Sequence, residues 1–237
     1  MKDPTDNLRP SRAALLRGVA GALTASLLAE PEPAPAAEAS STAMSADAAL
    51  SRLLSGNARY RQDAAIHCNR NYDRRAEVAA AQAPFAIVLG CADSRVPPEV
   101  VFDQRLGDLF VVRLAGNVAD DNAVGSIEYA VEHFHPALVM VLGHEKCGAV
   151  SATLDALKTG TVVDGFIGTI VTAISPAVKR SRSERGDALR NAVAANVADV
   201  VKRLRTVSAV VANAERNGAL RVVGASYDLA NGHVMLL

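Results

Sequence analysis

The 237-residue sequence has no tryptophan, only 4% aromatic residues, three cysteines and no net charge, its 25 basic residues matching 25 acidic ones. Each shortage excludes something. Without a basic surplus, nucleic acid or an anionic membrane is a poor choice of main partner, because both need excess positive charge. Three scattered cysteines (Cys68, Cys91 and Cys147) cannot form a disulfide framework, and the odd number leaves at least one without an intramolecular partner. With so few aromatics, the core has to be built from Ala, Val, Leu and Ile. Half the residues are hydrophobic, which is enough for a sizeable core and argues against wholesale disorder. The length suits one domain, or two small ones.

Residues 1–39 differ from the rest. Arg9, Arg12 and Arg17 precede an uncharged apolar stretch, Gly18 to Ala29, followed by Pro31, Pro33, Pro35 and small residues. The stretch is well short of the roughly 20 residues needed to span a bilayer. Basic, apolar and small-residue segments in that order describe a secretory signal, with cleavage expected after Ala36 or Ala39. Arg9-Pro10-Ser11-Arg12 resembles a twin-arginine signal whose arginines have been separated. The expectation is a leader over 1–39, a single domain over 40–237 and export, to the periplasm in a bacterium. The alternative is an Ala/Pro-rich leader that is never cleaved, on a cytoplasmic protein.

From about Ala43 the pattern becomes globular. Ser45 opens a helix with Leu50, Leu53 and Leu54 on one face, and Asn122 is expected to cap another through Glu132. Asn191 to Val207 is the clearest amphipathic helix. Apolar runs at Phe85–Leu89, Leu109–Leu114, Leu138–Leu142 and Leu220–Val223 read as buried strands. Asn231-Gly232 signals a hairpin that places His233–Leu237 antiparallel at an edge. Gly160–Ala177 reads as a loop and then an apolar helix ending near Pro176. Strands alternating with helices give an α/β fold: a central, mainly parallel sheet of about four parallel strands and an antiparallel edge strand, flanked by helices.

Unusual residues collect beyond two strand ends, where open α/β sheets bind ligands. One strand ends in Gly90-Cys91-Ala92-Asp93-Ser94-Arg95, another in Gly143-His144-Glu145-Lys146-Cys147-Gly148. If the strands are neighbours, Cys91, His144 and Cys147 converge. Two thiolates and an imidazole suit zinc, and three protein ligands leave a fourth position open, as catalytic zinc sites do. Cys91 alone reads as a small buried hydrophobe, and His-x-x-Cys alone is a weak signal. Asp93 and Arg95 beside Cys91 add a polar density that packing does not explain. Cys68 is excluded from the metal because the side chains of adjacent His67 and Cys68 diverge. His133, His135 and His233 read as surface or helix-end residues, and Glu145 and Lys146 as solvated turn residues.

Cys-x-Asp-x-Arg at Cys91, Asp93 and Arg95, followed by His-x-x-Cys at His144 and Cys147, resembles the signature of the β-class carbonic anhydrases. The segments CADSRVPPE, GDLFVVRLAGN, GSIEYAV and GHEKCGA are similar to that family in the same order, and the likeness covers roughly residues 45 to 237.

The resemblance implies one zinc ion per subunit and reversible hydration of carbon dioxide to bicarbonate and a proton by zinc-bound hydroxide. Asp93 would orient the attacking water and Arg95 would hold Asp93 ionised. In a closed form Asp93 would become a fourth metal ligand. Gly148 is the candidate for a backbone bond to bicarbonate, and Phe110 and Tyr129 for an apolar substrate pocket, core or dimer contact. Arg113 reads as structural or as part of an anion site. Val88 stands where relatives with an allosteric bicarbonate pocket carry Trp, which implies the open type. The partners implied are carbon dioxide and bicarbonate, and a second copy in a homodimer or larger assembly, onto which the helix near Asp47–Tyr60 would wrap. Two thiolates cancel the zinc charge, so activity is expected to rise toward alkaline pH. Alternatives are a carbonyl sulfide or carbon disulfide hydrolase of the same fold, or a non-catalytic zinc- or bicarbonate-binding protein.

Overall fold

The computed structural model describes residues 44–66 and 71–237. The expected leader, and the pair His67-Cys68, lie outside the described residues. The chain runs α1 (Ala46–Arg61), α2 (Tyr72–Val78), β1 (Ala86–Gly90), α3 (Pro98–Val101), β2 (Leu109–Arg113) and a 3-10 turn (Ala115–Asn117). It continues with α4 (Asp121–Phe134), β3 (Leu138–His144), α5 (Gly148–Thr159), α6 (Gly165–Ser181), α7 (Ala188–Val207), α8 (Ala209–Arg216), β4 (Arg221–Tyr227) and β5 (Val234–Leu236).

The sheet order is β2-β1-β3-β4-β5, parallel except for β5, which runs antiparallel to β4. β1 and β3 are buried along their whole length. Covered on both faces, they tolerate apolar side chains at every position, so their sequences are unbroken apolar runs. Ile87, Leu89, Val139 and Val141 face a core shared with α4, α7 and α8. Ala86, Val88, Leu138 and Met140 face a second core under α1 and α3. The parallel pairing of β1 with β3 brings the two strand ends side by side, Gly90 next to Leu142. Among the described residues no helix is long and apolar enough to cross a membrane.

Several boundaries differ from the sequence reading. The α4 cap is Asp120, whose carboxylate accepts from the Ala123 N–H at 2.8 Å, so the helix starts earlier than Asn122 implies. α7 likewise starts early, capped by Asp187. α6 passes through Pro176 to Ser181. Proline removes one helical hydrogen bond, but Ile174, Ala177 and Val178 bury around it and hold the helix together. The β4–β5 connection is a loop over 228–233. Asp228 organises it, its carboxylate accepting from the Ala230 N–H at 2.7 Å and its carbonyl from the Gly232 N–H at 2.9 Å.

The apolar face of α1 packs on this chain's own sheet. Ala49, Leu50 and Leu53 are buried in the second core. Gly56 lies so close to the Phe102 carbonyl that any Cβ would collide with it. Asn57 locks the helix down: its amide donates to the carbonyls of Val101 (3.1 Å) and Gly232 (2.8 Å) and accepts from the Val234 N–H (3.0 Å). Asn57→Leu would orphan all three backbone groups and should cost about 3 kcal/mol or more. Urea unfolding checks this, an unchanged midpoint being the contrary result.

Candidate metal centre

Cys91, His144 and Cys147 offer ligand atoms that all lie within 4.8 Å of one another. Each comes from a different local device. Cys91 follows the last residue of β1, His144 ends β3, and Cys147 is the N-cap of α5. Lys146, in the left-handed region at φ 52°, turns the chain between the last two. All three are buried, His144 completely.

The imidazole orientation is fixed from behind. Nδ1 bonds the Glu145 carbonyl at 2.8 Å, which makes Nδ1 the protonated nitrogen and leaves Nε2 with a lone pair. Nε2 is buried without any hydrogen-bond partner, although Asp93 Oδ2 stands 3.7 Å away. An orphaned imidazole nitrogen facing two thiols costs stability unless something binds it.

The thiols show the same need. Cys147 beside Cys91, with His144 and the backbone N–H groups of Asp93 and Gly116, pulls the Cys91 thiol well below the usual thiol range against the cost of burial. The same contact pushes Cys147 up, burial adding to it, although the Ala149 and Val150 N–H groups favour its thiolate. Two adjacent thiols cannot both ionise without a cation between them. Two sulfurs and one imidazole fit zinc in donor type and number.

Asp93, at the edge of the cluster, is held by a bidentate pair. Arg95 Nε meets Oδ1 at 2.9 Å, Arg95 Nη2 meets Oδ2 at 2.7 Å, and the Arg95 backbone N–H adds a third bond at 3.0 Å. These bonds hold the Asp93 carboxyl well below the usual carboxylate range. Gly148, the first residue of α5, is exposed with open space where a Cβ would be.

Phe110 and Tyr129 are not brought to this cluster. Phe110 pairs in register with Ile87, well before the strand end that carries Cys91. Tyr129 stacks on His133 at 4.1 Å and meets Phe134 edge-on at 5.7 Å, and Phe134 in turn packs against Phe110 at 6.1 Å. The α4 helix runs back along the sheet, which carries its last turns away from the ligand end. Arg113 is structural: its guanidinium donates to the carbonyls of Cys91 (2.9 Å) and Asp93 and so braces the loop between them.

Two contributors carry no signal in the sequence. Glu145 is half-buried and paired with Arg190 of α7 at 2.7 Å, while its carbonyl orients His144. Gly116 donates its N–H to Cys91 Sγ at 3.2 Å. Only glycine suits that position: φ is 67°, and a Cβ would lie 2.6 Å from Ile174 Cδ1. A glycine just past a strand reads only as a stop, because nothing in its spacing reports what its amide faces. A cavity of about 790 Å³ lies beside this turn, lined by Ala92, Arg113, Leu114, Phe166, Asn196 and Arg203 among others, and none of the three ligands opens onto it.

Comparison with known proteins agrees with this chemistry. The carbonic anhydrase family model matches residues 86–234. A carbonic anhydrase of Mycolicibacterium smegmatis is 43% identical over 189 residues, covering 80% of this chain and 92% of that protein. Carbonic anhydrase 2 of Mycobacterium tuberculosis is 40% identical, covering 80% and 91%. Among solved structures, the Coccomyxa β-carbonic anhydrase in complex with acetazolamide superposes with a TM-score of 0.63 at 29% identity, covering 79% of this chain and 86% of that one. A β-carbonic anhydrase of Aspergillus fumigatus gives 0.62 at 28%, covering 81% and 89%. With the Cys-His-Cys cluster at neighbouring parallel strand ends and this extent of similarity, the chain belongs to the β-class carbonic anhydrase family.

Proposed function

We propose that this protein catalyses reversible hydration of carbon dioxide at one zinc ion per subunit, held by Cys91, His144 and Cys147, with Asp93 paired to Arg95 in the open arrangement. The observation that carries this reading is the buried, partnerless His144 Nε2 facing two thiols, with an ionised carboxylate alongside. Bound there, zinc would supply Lewis-acid activation of a water, bringing its pKa toward about 7.

The chain's own residues do the rest. Asp93, fixed by Arg95, accepts the hydrogen bond of the attacking water and orients it. Arg95 keeps that carboxylate charged and would hold it off a bound metal. The N-terminus of α5, Gly148 first, favours the bicarbonate anion. Two thiolate ligands make the metal a weaker Lewis acid than an all-imidazole site, so the rate should climb toward alkaline pH. A pH–rate profile already flat below neutrality would contradict this.

Stopped-flow hydration of carbon dioxide by the zinc-loaded protein tests the function. Carbonyl sulfide assayed beside it separates the hydrolase alternative, and inactivity toward both would leave a zinc- or bicarbonate-binding protein. The leader pattern over 1–39 supports export to the periplasm, the domain beginning near residue 40. Fractionation with mass determination of the mature N-terminus tests that. The exposed Tyr129 and the neighbouring half-buried Phe134 support a homodimer or larger assembly. Light scattering at the mass of one chain would refute it.

A further inference from the structure

A third part of the chain reaches the metal centre through backbone alone. The Gly116 N–H points at Cys91 Sγ, and on the far side the Gly116 carbonyl accepts from Asn196 Nδ2 of α7 at 2.9 Å. Asn196 is 2% exposed and sits among Ala192, Val193, Val197 and Val200 on the buried face of α7. Packing alone would place an aliphatic residue there, since a buried amide is costly unless it is bonded. Its bond goes to the residue whose own amide meets a ligand sulfur.

Gly116 has no side chain to fix its orientation. Ile174 and Ala149 restrict it sterically, at 2.6 and 3.1 Å from where a Cβ would lie. The peptide that follows it is held at both ends: the Asn117 N–H donates to the Leu114 carbonyl at 2.9 Å, and the Gly116 carbonyl is tied to α7 by Asn196.

We propose that Asn196 is a positioning residue of the metal centre: by anchoring the Gly116 carbonyl to α7 it restricts rotation about the Gly116 backbone bonds, keeps the N–H of the preceding peptide aimed at Cys91 Sγ, and so sets how much charge that sulfur gives to the metal. The inference rests on the zinc reading above. A hydrogen bond to a ligand sulfur draws electron density from it, and such outer contacts tune the metal. Without the bond, Cys91 donates more strongly and the metal becomes a weaker Lewis acid.

The test substitutes cobalt(II) for zinc in the full chain and in Asn196→Leu, Asn196→Ser and Val197→Ala, and reads the sulfur-to-cobalt charge-transfer band. The Asn196 variants should move that band to longer wavelength. Their zinc forms should show an alkaline shift of the pH–rate midpoint and about 10-fold lower activity near neutrality. Val197→Ala, which trims the same helix face without touching Gly116, should lower the melting temperature and leave the band in place. A band at the wild-type position in a folded Asn196 variant overturns the proposal. If the leucine variant fails to fold, the smaller serine decides. A wild-type protein with no sulfur-to-cobalt band would overturn the zinc centre itself, and this proposal with it.

Discussion

His144→Ala should empty the metal site and abolish carbon dioxide hydration in one step. The imidazole is fully buried at the end of β3, with Nδ1 held by the Glu145 carbonyl and Nε2 directed at the two thiols. Alanine leaves two sulfurs, too few to hold zinc against water, and a cavity between them. Metal analysis should fall from one zinc per chain to background, and stopped-flow activity to the uncatalysed rate. Cys91→Ser should behave alike, because a serine hydroxyl does not ionise near neutral pH and oxygen is a poorer match for zinc than thiolate. Circular dichroism separates loss of the site from loss of the fold. The parallel ladders of β1, β3 and β4 do not depend on either side chain, so the α/β signature should persist. Zinc retained at wild-type level with full activity in either variant would remove that residue from the ligand set.

The ligands are legible in the sequence because they follow strands that are legible. β1 and β3 are unbroken apolar runs, a pattern that two-sided burial produces, and the residues after such runs fall at one edge of a parallel sheet. What does not show is anything that depends on long-range packing. Even a local choice such as the cap of α4 is ambiguous, since Asp120 and Asn122 are both good capping types. Asp120 prevails, its carboxylate meeting the Ala123 N–H at 2.8 Å.

Phe110 and Tyr129 show the larger difficulty. Family-like segments place them in the chain, but only the β1–β2 register and the direction of α4 show that they lie away from this subunit's cluster. Gly116 and Glu145 contribute through their backbones, and composition carries no record of where an amide or a carbonyl points. Pro176 reads as a helix end because proline breaks isolated helices, whereas burial of Ile174 and Val178 offsets the lost bond.

Asp93→Asn is expected to keep the zinc and lose most of the turnover. Asparagine is nearly the same size, and Cys91, His144 and Cys147 are untouched, so metal content should remain at one per chain. What changes is charge. The carboxylate is held ionised by two side-chain bonds from Arg95 and one from its backbone. An amide keeps one acceptor oxygen, loses the negative charge, and presents an NH2 group where Arg95 or the water needs an acceptor. General-base and orienting contributions of this kind are worth about 10²- to 10⁴-fold, so the maximal rate should fall by at least the lower figure while zinc analysis stays level. Arg95→Ala should fail by another route. With the bidentate pair gone, Asp93, whose Oδ2 already stands 3.7 Å from His144 Nε2, is free to turn toward the cluster and occupy the open position as a fourth ligand. That variant should also retain zinc, and its activity should be lost most completely where Asp93 competes best with water for the metal. Cadmium-113 or cobalt spectra distinguish the two: Asp93→Asn should keep the three-ligand signature, and Arg95→Ala should gain an oxygen ligand. Full turnover in Asp93→Asn would take the carboxylate out of the mechanism and leave the Asp93–Arg95 pair as a clamp on the loop after β1.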